Sequence, residues 1–251
     1  MAKSYSFLFV ALCSALLVKG QKLNLQHEWI GQNLEYLKLD STHATFQFSH
    51  RFGYRDKKGY HILKDTLRLQ DWFGSSQGNY KTLSHRDYDF LIKREKRSFT
   101  LIPINKAALE ISGNRRKIAF VKRNTIYNKD VRLDSLHFTT TTCYGTCPEF
   151  SLRLIKKQLE FIGGKHAIKQ GRYTAILSDS LYNVLAEVLK GTALDRIVNY
   201  PIEITDVPYT RIAVYYNGKK HMIEGYETPM VADKLHRFLL ALPSLLEKTL
   251  K

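Results

Sequence analysis

Apolar and polar side chains alternate with a period of two over much of the first half of the chain, from Leu34 to Ile104. The apolar positions of the clearest runs are Ala44, Phe46, Phe48, Leu67, Leu69, Tyr88, Phe90 and Ile92. This alternation is typical of antiparallel strands with one buried face and one solvated face. Turn-forming residues separate the runs at 56–59 and 74–79. Short strands without a convincing helix predict a β-rich N-terminal half, a small barrel or sandwich, over residues 21–112.

Residues 113–134 are predicted to be a basic junction between two domains. One helical turn is predicted just before the junction, at 105–111, and the sequence Ser-Gly-Asn that follows breaks it. Within the junction, the alternation predicts a single hairpin in which Ile118 and Phe120 face Ile126.

The second half mixes the periods of strands and helices. Strands are predicted at 136–142, 150–155, 159–162, 209–216 and 219–224, the last two flanking the hairpin signal Asn217-Gly218. An apolar stripe at helical spacing predicts a helix over Asp179–Lys190, ending at Gly191. A final helix is predicted from Pro229 onward, with Thr228 as its cap. The pattern predicts an α+β C-terminal half over 135–251, an antiparallel sheet with two helices.

The first twenty residues have the features of a signal peptide. Lys3 is followed by fourteen uncharged residues, Tyr5–Val18, and small residues precede a cleavage point after Gly20. A membrane-spanning helix needs about 20 apolar residues, so the stretch is short for an anchor. We expect residues 1–20 to be removed with Cys13, leaving no transmembrane segment in a periplasmic or secreted protein.

The formal net charge of +16 is concentrated in the first half, where residues 21–135 contain 22 basic and 12 acidic side chains. Two basic runs could bind polyanions, and their members are Lys93, Arg94, Lys96, Arg97, Arg115, Arg116 and Lys117. Export favours anionic components of the cell envelope over nucleic acid as the ligand. The alternative is a solvated basic surface that keeps the protein soluble.

The motif Cys143-Tyr144-Gly145-Thr146-Cys147-Pro148 is the most specific candidate for chemistry. In an exported chain two such thiols are expected to form a disulfide, and Gly145 permits the turn that this requires. Two alternatives remain: a redox pair in which Cys143 attacks and Cys147 resolves, and a zinc site completed by His137 and His166. Neither a catalytic residue, a resident metal nor a cofactor is predicted.

Residues 135–251 resemble a bacterial domain family of unknown function with the signature Cys-(Tyr/Phe)-Gly-Thr-Cys-Pro, common in exported proteins of Gram-negative bacteria. The matching residues outside the cysteines are Tyr144, Gly145, Thr146, Pro148, Asp206 and Pro208. The resemblance implies a compact module with the same cysteine bridge, and it transfers no catalytic residue. The first half more loosely resembles small lipocalin-like β modules, through Glu28-Trp29-Ile30-Gly31.

The function predicted from these features is that of an exported, non-enzymatic binding or interaction protein of the bacterial cell envelope. Its partner would be another protein or a small apolar ligand held by the β half. One alternative is a thiol–disulfide enzyme using Cys143 and Cys147, and the other is polyanion binding through the basic first half. A lined cavity in the β half would favour ligand binding, and a filled interior would favour a scaffold.

Overall fold

An antiparallel β-barrel and an antiparallel sheet covered by helices follow each other along the chain. The computed structural model describes residues 24–49, 52–77, 80–199 and 206–247, and the structural statements below concern these residues. The predicted signal peptide, with its cleavage point, lies outside them.

The barrel has eight strands, each paired antiparallel with the next, and the last strand closes on the first. The strands are β1 (Glu28–Gly31), β2 (Tyr36–Leu39), β3 (His43–Ser49), β4 (Phe52–Leu63), β5 (Thr66–Gln77), β6 (Tyr80–Arg94), β7 (Ser98–Pro103) and β8 (Ile118–Lys122). The prediction of a β-rich N-terminal half is confirmed, and of its two forms the structure adopts the barrel.

The closing strand β8 comes from the segment that the sequence assigned to a basic junction. The predicted hairpin there is wrong, because Arg123–Ile126 forms a 3-10 turn instead of a returning strand. Without β8, strands β1 and β7 would each keep an unpaired edge, which closure removes. The side chains of Ile118 and Phe120 are buried in the barrel, so the barrel extends to Lys122.

The predicted turn at 56–59 is also wrong, because those residues lie inside β4. Their backbone pairs with both neighbouring strands, Lys58 with Ala44 and Gly59 with both His43 and Gln70. Pairing across two neighbours outweighs the local turn preference of this polar segment. The second predicted turn, at 74–79, is wrong for residues 74–77, which are the end of β5 and pair with β6 as far as Gln77 with Tyr80, and residues 78 and 79 lie outside the described chain.

Aromatic side chains fill the barrel. The seven that are at most 1% exposed are Trp29, Tyr88, Phe46, Phe48, Phe90, Phe99 and Phe120. Trp29 meets Phe99 edge to face with ring centroids 4.8 Å apart, and Phe99 stacks on Phe120 at 5.2 Å. An eight-stranded barrel is just wide enough to be filled by its own side chains, as it is here over the described residues.

The second domain is built on a six-stranded antiparallel sheet with the order β12-β11-β10-β9-β13-β14. Its strands are β9 (Leu133–Thr140), β10 (Phe150–Ile155), β11 (Gln158–Gly163), β12 (Gly171–Ile176), β13 (Thr210–Tyr216) and β14 (Lys219–Gly225). The predicted α+β half, an antiparallel sheet with two helices, is confirmed.

The described residues form three α-helices: α1 (Lys106–Ile111) beside the barrel, and α2 (Asp179–Lys190) and α3 (Asp233–Leu246) on one face of the second sheet. The Ser178 side chain caps α2 by accepting a hydrogen bond from the Leu181 N–H. The final helix begins later than predicted, after a 3-10 turn over Met230–Ala232. No helix of the described residues is long and apolar enough to span a bilayer.

The two domains share a wall formed by β1 and β2. Trp29 and Leu37 point into the barrel, whereas Ile30 and Tyr36 point outward and are buried in the core of the second domain. Beside them, the Glu28 carboxylate accepts hydrogen bonds from Arg123 at 3.2 Å and from Lys234 at 3.1 Å.

Candidate functional site

The predicted disulfide between Cys143 and Cys147 is present in the loop that joins β9 to β10. The two Cα atoms are 5.5 Å apart, within the distance that a disulfide allows. Gly145 lies at the turn between them, and the Tyr144 side chain is 91% exposed at its tip. The loop therefore presents one aromatic ring on a covalently closed turn.

The environment of the disulfide differs from that of a reactive dithiol. Cys143 follows a strand and Cys147 precedes one, so no described helix starts at either cysteine to lower a thiol pKa. The disulfide also occupies both sulfurs that the alternative zinc site would need. His137 lies on the sheet and His166 in the β11–β12 loop.

The segment before β13 holds the cysteine loop in place through hydrogen bonds. The Asp206 carboxylate accepts a hydrogen bond from the Tyr144 N–H at 3.1 Å. The Tyr209 N–H donates to the Thr141 hydroxyl at 3.0 Å, and the ring of Tyr209 packs edge to face on Tyr226.

The remaining motif residues have no such role. Thr146 and Pro148 are exposed in the cysteine loop, and Pro208 is half-buried before β13. Two of the predicted motif residues, Asp206 and Pro208, lie outside the cysteine loop, and Asp206 forms a hydrogen bond to that loop.

The structure separates the two basic runs. Because Ser98 pairs with Val121 and Leu101 pairs with Ile118, the runs lie at opposite ends of the β7–β8 pair. Lys93, Lys96 and Arg97 are exposed around the β6–β7 turn, and Arg94 lies 3.6 Å from the Asp65 carboxylate. Arg116 and Lys117 are exposed at the other end, whereas Arg115 turns inward to form an ion pair with the buried Glu35.

The face of the second sheet opposite the helices is a broad surface, which we call the open sheet face. Its members are Ser135, His137, Thr139, Ser151, Arg153, Ile155, Gln158, Glu160, Ile162, Arg172, Thr174, Ile176, Arg211, Ala213, Tyr215, Lys220, Met222 and Glu224. It combines exposed isoleucines with charged side chains, and Ile176 is 73% exposed.

Positive charge exceeds negative charge on the open sheet face. Its two glutamates are each matched by an arginine, Glu160 by Arg172 and Glu224 by Arg211, both at 2.7 Å. Two further cations, Arg153 and Lys220, form no ion pair with a described residue, although Lys220 lies over the Tyr215 ring. Two uncompensated cations therefore remain on this face, Arg153 on the inner strand β10 and Lys220 on the edge strand β14.

The positive charge of the open sheet face adds to burial in lowering the pKa of His137. Burial lowers its pKa below the ordinary value of 6.5, and the charges of Arg153 and Lys220 lower it further, against a smaller opposing effect of Glu160. The imidazole ring also lies edge-on to Tyr215, with centroids 6.2 Å apart. An anionic group docking here would raise the pKa of His137.

A cleft lies between the barrel and the second domain, and we call it the interdomain cleft. It has a volume of about 330 Å³ and is lined from the barrel by Leu34, Glu35 and Ser49, and from the second domain by Arg196, Ile197 and Pro229. The sequence did not indicate it. Glu35 and Arg115 are 80 positions apart, and no local pattern connects them. The one available signal was a glutamate directly before the alternating strand β2.

A filled barrel followed by a helix-covered sheet defines a two-domain β-rich protein. Within it, residues 134–246 match the family model of DUF6438, described as a domain of unknown function. The match covers the sheet, α2 and α3, and not the barrel. Searches of curated proteins and of solved structures gave no match.

Proposed function

We propose that this chain is an exported, non-enzymatic interaction protein of the bacterial cell envelope, in which the open sheet face binds an acidic partner protein. The observation that carries the proposal is that two cations of this face, Arg153 and Lys220, form no ion pair with a described residue, while exposed isoleucines lie on β10, β11 and β12 of the same face. The barrel, which has the strand order of a lipocalin-like module, serves as a scaffold.

The packed interior of the barrel, over the described residues, supports a structural role for the barrel rather than the binding of a ligand inside it. Lipocalin-type barrels that hold a ligand leave a lined cavity inside, and here the described inward side chains pack against one another. The barrel instead buries the outward-facing Ile30 and Tyr36 under the second domain, which fixes the position of the sheet.

The composition of the open sheet face favours a protein over a uniform polyanion. Arg172 and Arg211 are already neutralised, and Ile155, Ile162 and Ile176 add apolar area that a phosphate or glycan chain would leave uncovered. Protein interfaces combine an apolar centre with complementary charges that steer association. A partner with two or more carboxylates opposite Arg153 and Lys220 fits this surface.

In-cell photocrosslinking tests the assignment of the surface. A photoreactive amino acid at Ile155 is expected to give a discrete adduct in the producing bacterium, and the same probe at Lys117 on the barrel serves as the matched control. The double variant Arg153→Glu/Lys220→Glu should abolish the Ile155 adduct, because it reverses the two unmatched charges. Arg116→Glu/Lys117→Glu should leave it intact.

Two outcomes would contradict the proposed surface. One is an adduct at Lys117 of equal yield, and the other is an Ile155 adduct that survives reversal of Arg153 and Lys220. Loss of the adduct on reversal of Arg116 and Lys117 would instead support polyanion binding by the barrel.

Export and the state of the cysteines need a separate test. We expect periplasmic protein to begin at Gln21, and its thiols to react with an alkylating reagent only after reduction, as read by mass spectrometry. An intact leader together with free thiols at Cys143 and Cys147 would remove the envelope assignment.

A further inference from the structure

The interdomain cleft contains an arginine with unused hydrogen-bonding capacity. Arg196 reaches from the second domain to the β1–β2 turn, where its Nη2 donates to the carbonyls of Gly31 at 3.2 Å and Gln32 at 2.7 Å. Its Nε and Nη1 donate to no described residue, and it has no acidic partner among them. The Nε–H and Nη1–H groups are therefore available to a ligand, and because Cδ lies between them they donate in different directions.

The other charges in the cleft neutralise each other. The Glu35 carboxylate accepts hydrogen bonds from the Asn33 N–H at 2.8 Å and from the Asn33 side chain at 3.1 Å, and it pairs with Arg115. Arg115 also donates to the Phe48 carbonyl. Because this pair is matched, the cleft has a net charge of about +1, contributed by Arg196.

Two more features point to a bound molecule. The Ser49 hydroxyl is shielded from solvent and has no hydrogen-bond partner in the described structure, which is costly unless a ligand or water satisfies it. Leu34, Ile197 and Pro229 also line the cleft, and we call them its apolar wall. The volume of about 330 Å³ lies at the small end of the range of ligand pockets, about 300–1,000 Å³.

We propose that the interdomain cleft binds a small amphipathic monoanion, an aliphatic carboxylate whose head group pairs with Arg196 and whose chain lies against the apolar wall. An N–H of the Arg196 guanidinium that donates to no described residue can form a charge-assisted hydrogen bond with one oxygen of a carboxylate. A single unmatched positive charge favours a singly charged ligand. The ligand would contact both domains, and the inference is independent of the open sheet face.

Calorimetric titration of the mature, oxidised chain tests the proposal with three probes: octanoate, 1-octanol and acetate. Octanol keeps the chain without the charge, and acetate keeps the charge without the chain. We expect octanoate to bind at least tenfold more tightly than either. Equal affinity for octanol, or no detectable binding of octanoate, would overturn the proposal.

Variants then locate the binding. Arg196→Gln should reduce the affinity for octanoate to that for octanol, whereas Arg211→Gln, on the open sheet face, should change neither. Because Arg196 also supports the β1–β2 turn, Val198→Trp provides a second variant. Val198 lines the cleft and is 57% exposed, so a large ring there should block the cleft without disturbing a core.

Each result decides the question. Loss of octanoate binding in both Arg196→Gln and Val198→Trp supports the cleft as the site. Unchanged octanoate affinity in Val198→Trp would show that octanoate binds elsewhere and would overturn the proposal. Crosslinking at Ile155 is read independently, so failure of one proposal does not imply failure of the other.

Discussion

The barrel and the second domain use antiparallel strands in opposite ways. The barrel closes on itself, so its strands pair on both sides and its buried side chains face inward. The six-stranded sheet buries one face under helices and leaves the other, with Arg153 and Ile176, exposed. Closure gives the barrel a complete core of its own, and the open sheet keeps a surface on which another molecule can dock.

The two domains are not fully separate at the wall formed by β1 and β2, because Ile30 belongs to a barrel strand but is buried in the core of the second domain. Ile30→Ala should reduce the free energy of unfolding by about 3 kcal/mol through lost burial and the cavity left behind. Chemical denaturation followed by circular dichroism measures the loss. The matched control is Val121→Ala, because Val121 pairs with Ile30 from the neighbouring strand β8 and is 40% exposed. An equal cost at Val121 would show that Ile30 has no special role.

The disulfide belongs to the second domain alone and should separate the two domains energetically. Cys143→Ser/Cys147→Ser is expected to lower the free energy of unfolding by about 2 kcal/mol, the chain-entropy value for so short a loop. The loss should appear in sheet-domain probes such as Tyr215 resonances, with Trp29 fluorescence in the barrel unchanged at low denaturant. Earlier unfolding at Trp29 would mean that the domains unfold as one unit.

Glu28 tests the polar part of the contact between the domains. Burial alone would raise its pKa, but the hydrogen bond from Lys234 and the charges of Arg123, Lys234 and Lys38 outweigh burial and lower it. Glu28→Gln should lower the free energy of unfolding by about 1 kcal/mol, since hydrogen bonds to a charged group are lost. Thermal unfolding at pH 7 measures this.

The control for Glu28 is Glu160→Gln, whose partner Arg172 is 71% exposed. A solvated ion pair contributes little, so this change should cost less than about 0.5 kcal/mol. If Glu160→Gln lowers the free energy of unfolding as much as Glu28→Gln does, the ion pairs of Glu28 between the domains stabilise the fold no more than a solvated ion pair.

The smallest effect concerns two histidines on the second domain. Burial lowers the pKa values of both His137 and His221 below 6.5, so the folded protein binds these protons less readily than the unfolded chain. Their contribution to stability is complete above pH 6.5 and is lost as the pH falls through the folded pKa values. Denaturation at pH 7.5 and 5.5 should show the decrease, and NMR titration should give both pKa values directly. Ring pKa values at or above 6.5 would contradict it.

Much of the fold could be predicted because it rests on local patterns. The alternation at Phe46, Phe48 and Phe90 places these rings inside the barrel, and the stripe over Asp179–Lys190 gives a helix with those bounds. The disulfide was predictable because two isolated thiols in a chain expected to be exported usually oxidise, and Gly145 permits the turn between them.

The rest depends on contacts between distant residues. Strand β8 exists because β1 and β7 both need a partner, a requirement that no local window contains. The ion pair of Glu35 with Arg115 and the reach of Arg196 to Gly31 depend on the packing of two domains. A single alternating strand also does not show that its outward residue, Ile30, enters a second core.

The wall formed by β1 and β2 also sets an order in which the two domains assemble. The barrel can close once Lys122 is available, but Ile30 and Tyr36 then remain uncovered until the second sheet and α3 have been made. Apolar groups that are exposed while folding is incomplete favour aggregation. The finished barrel would thus provide a surface on which the second domain completes its core, and that surface is open to aggregation until the second domain has folded.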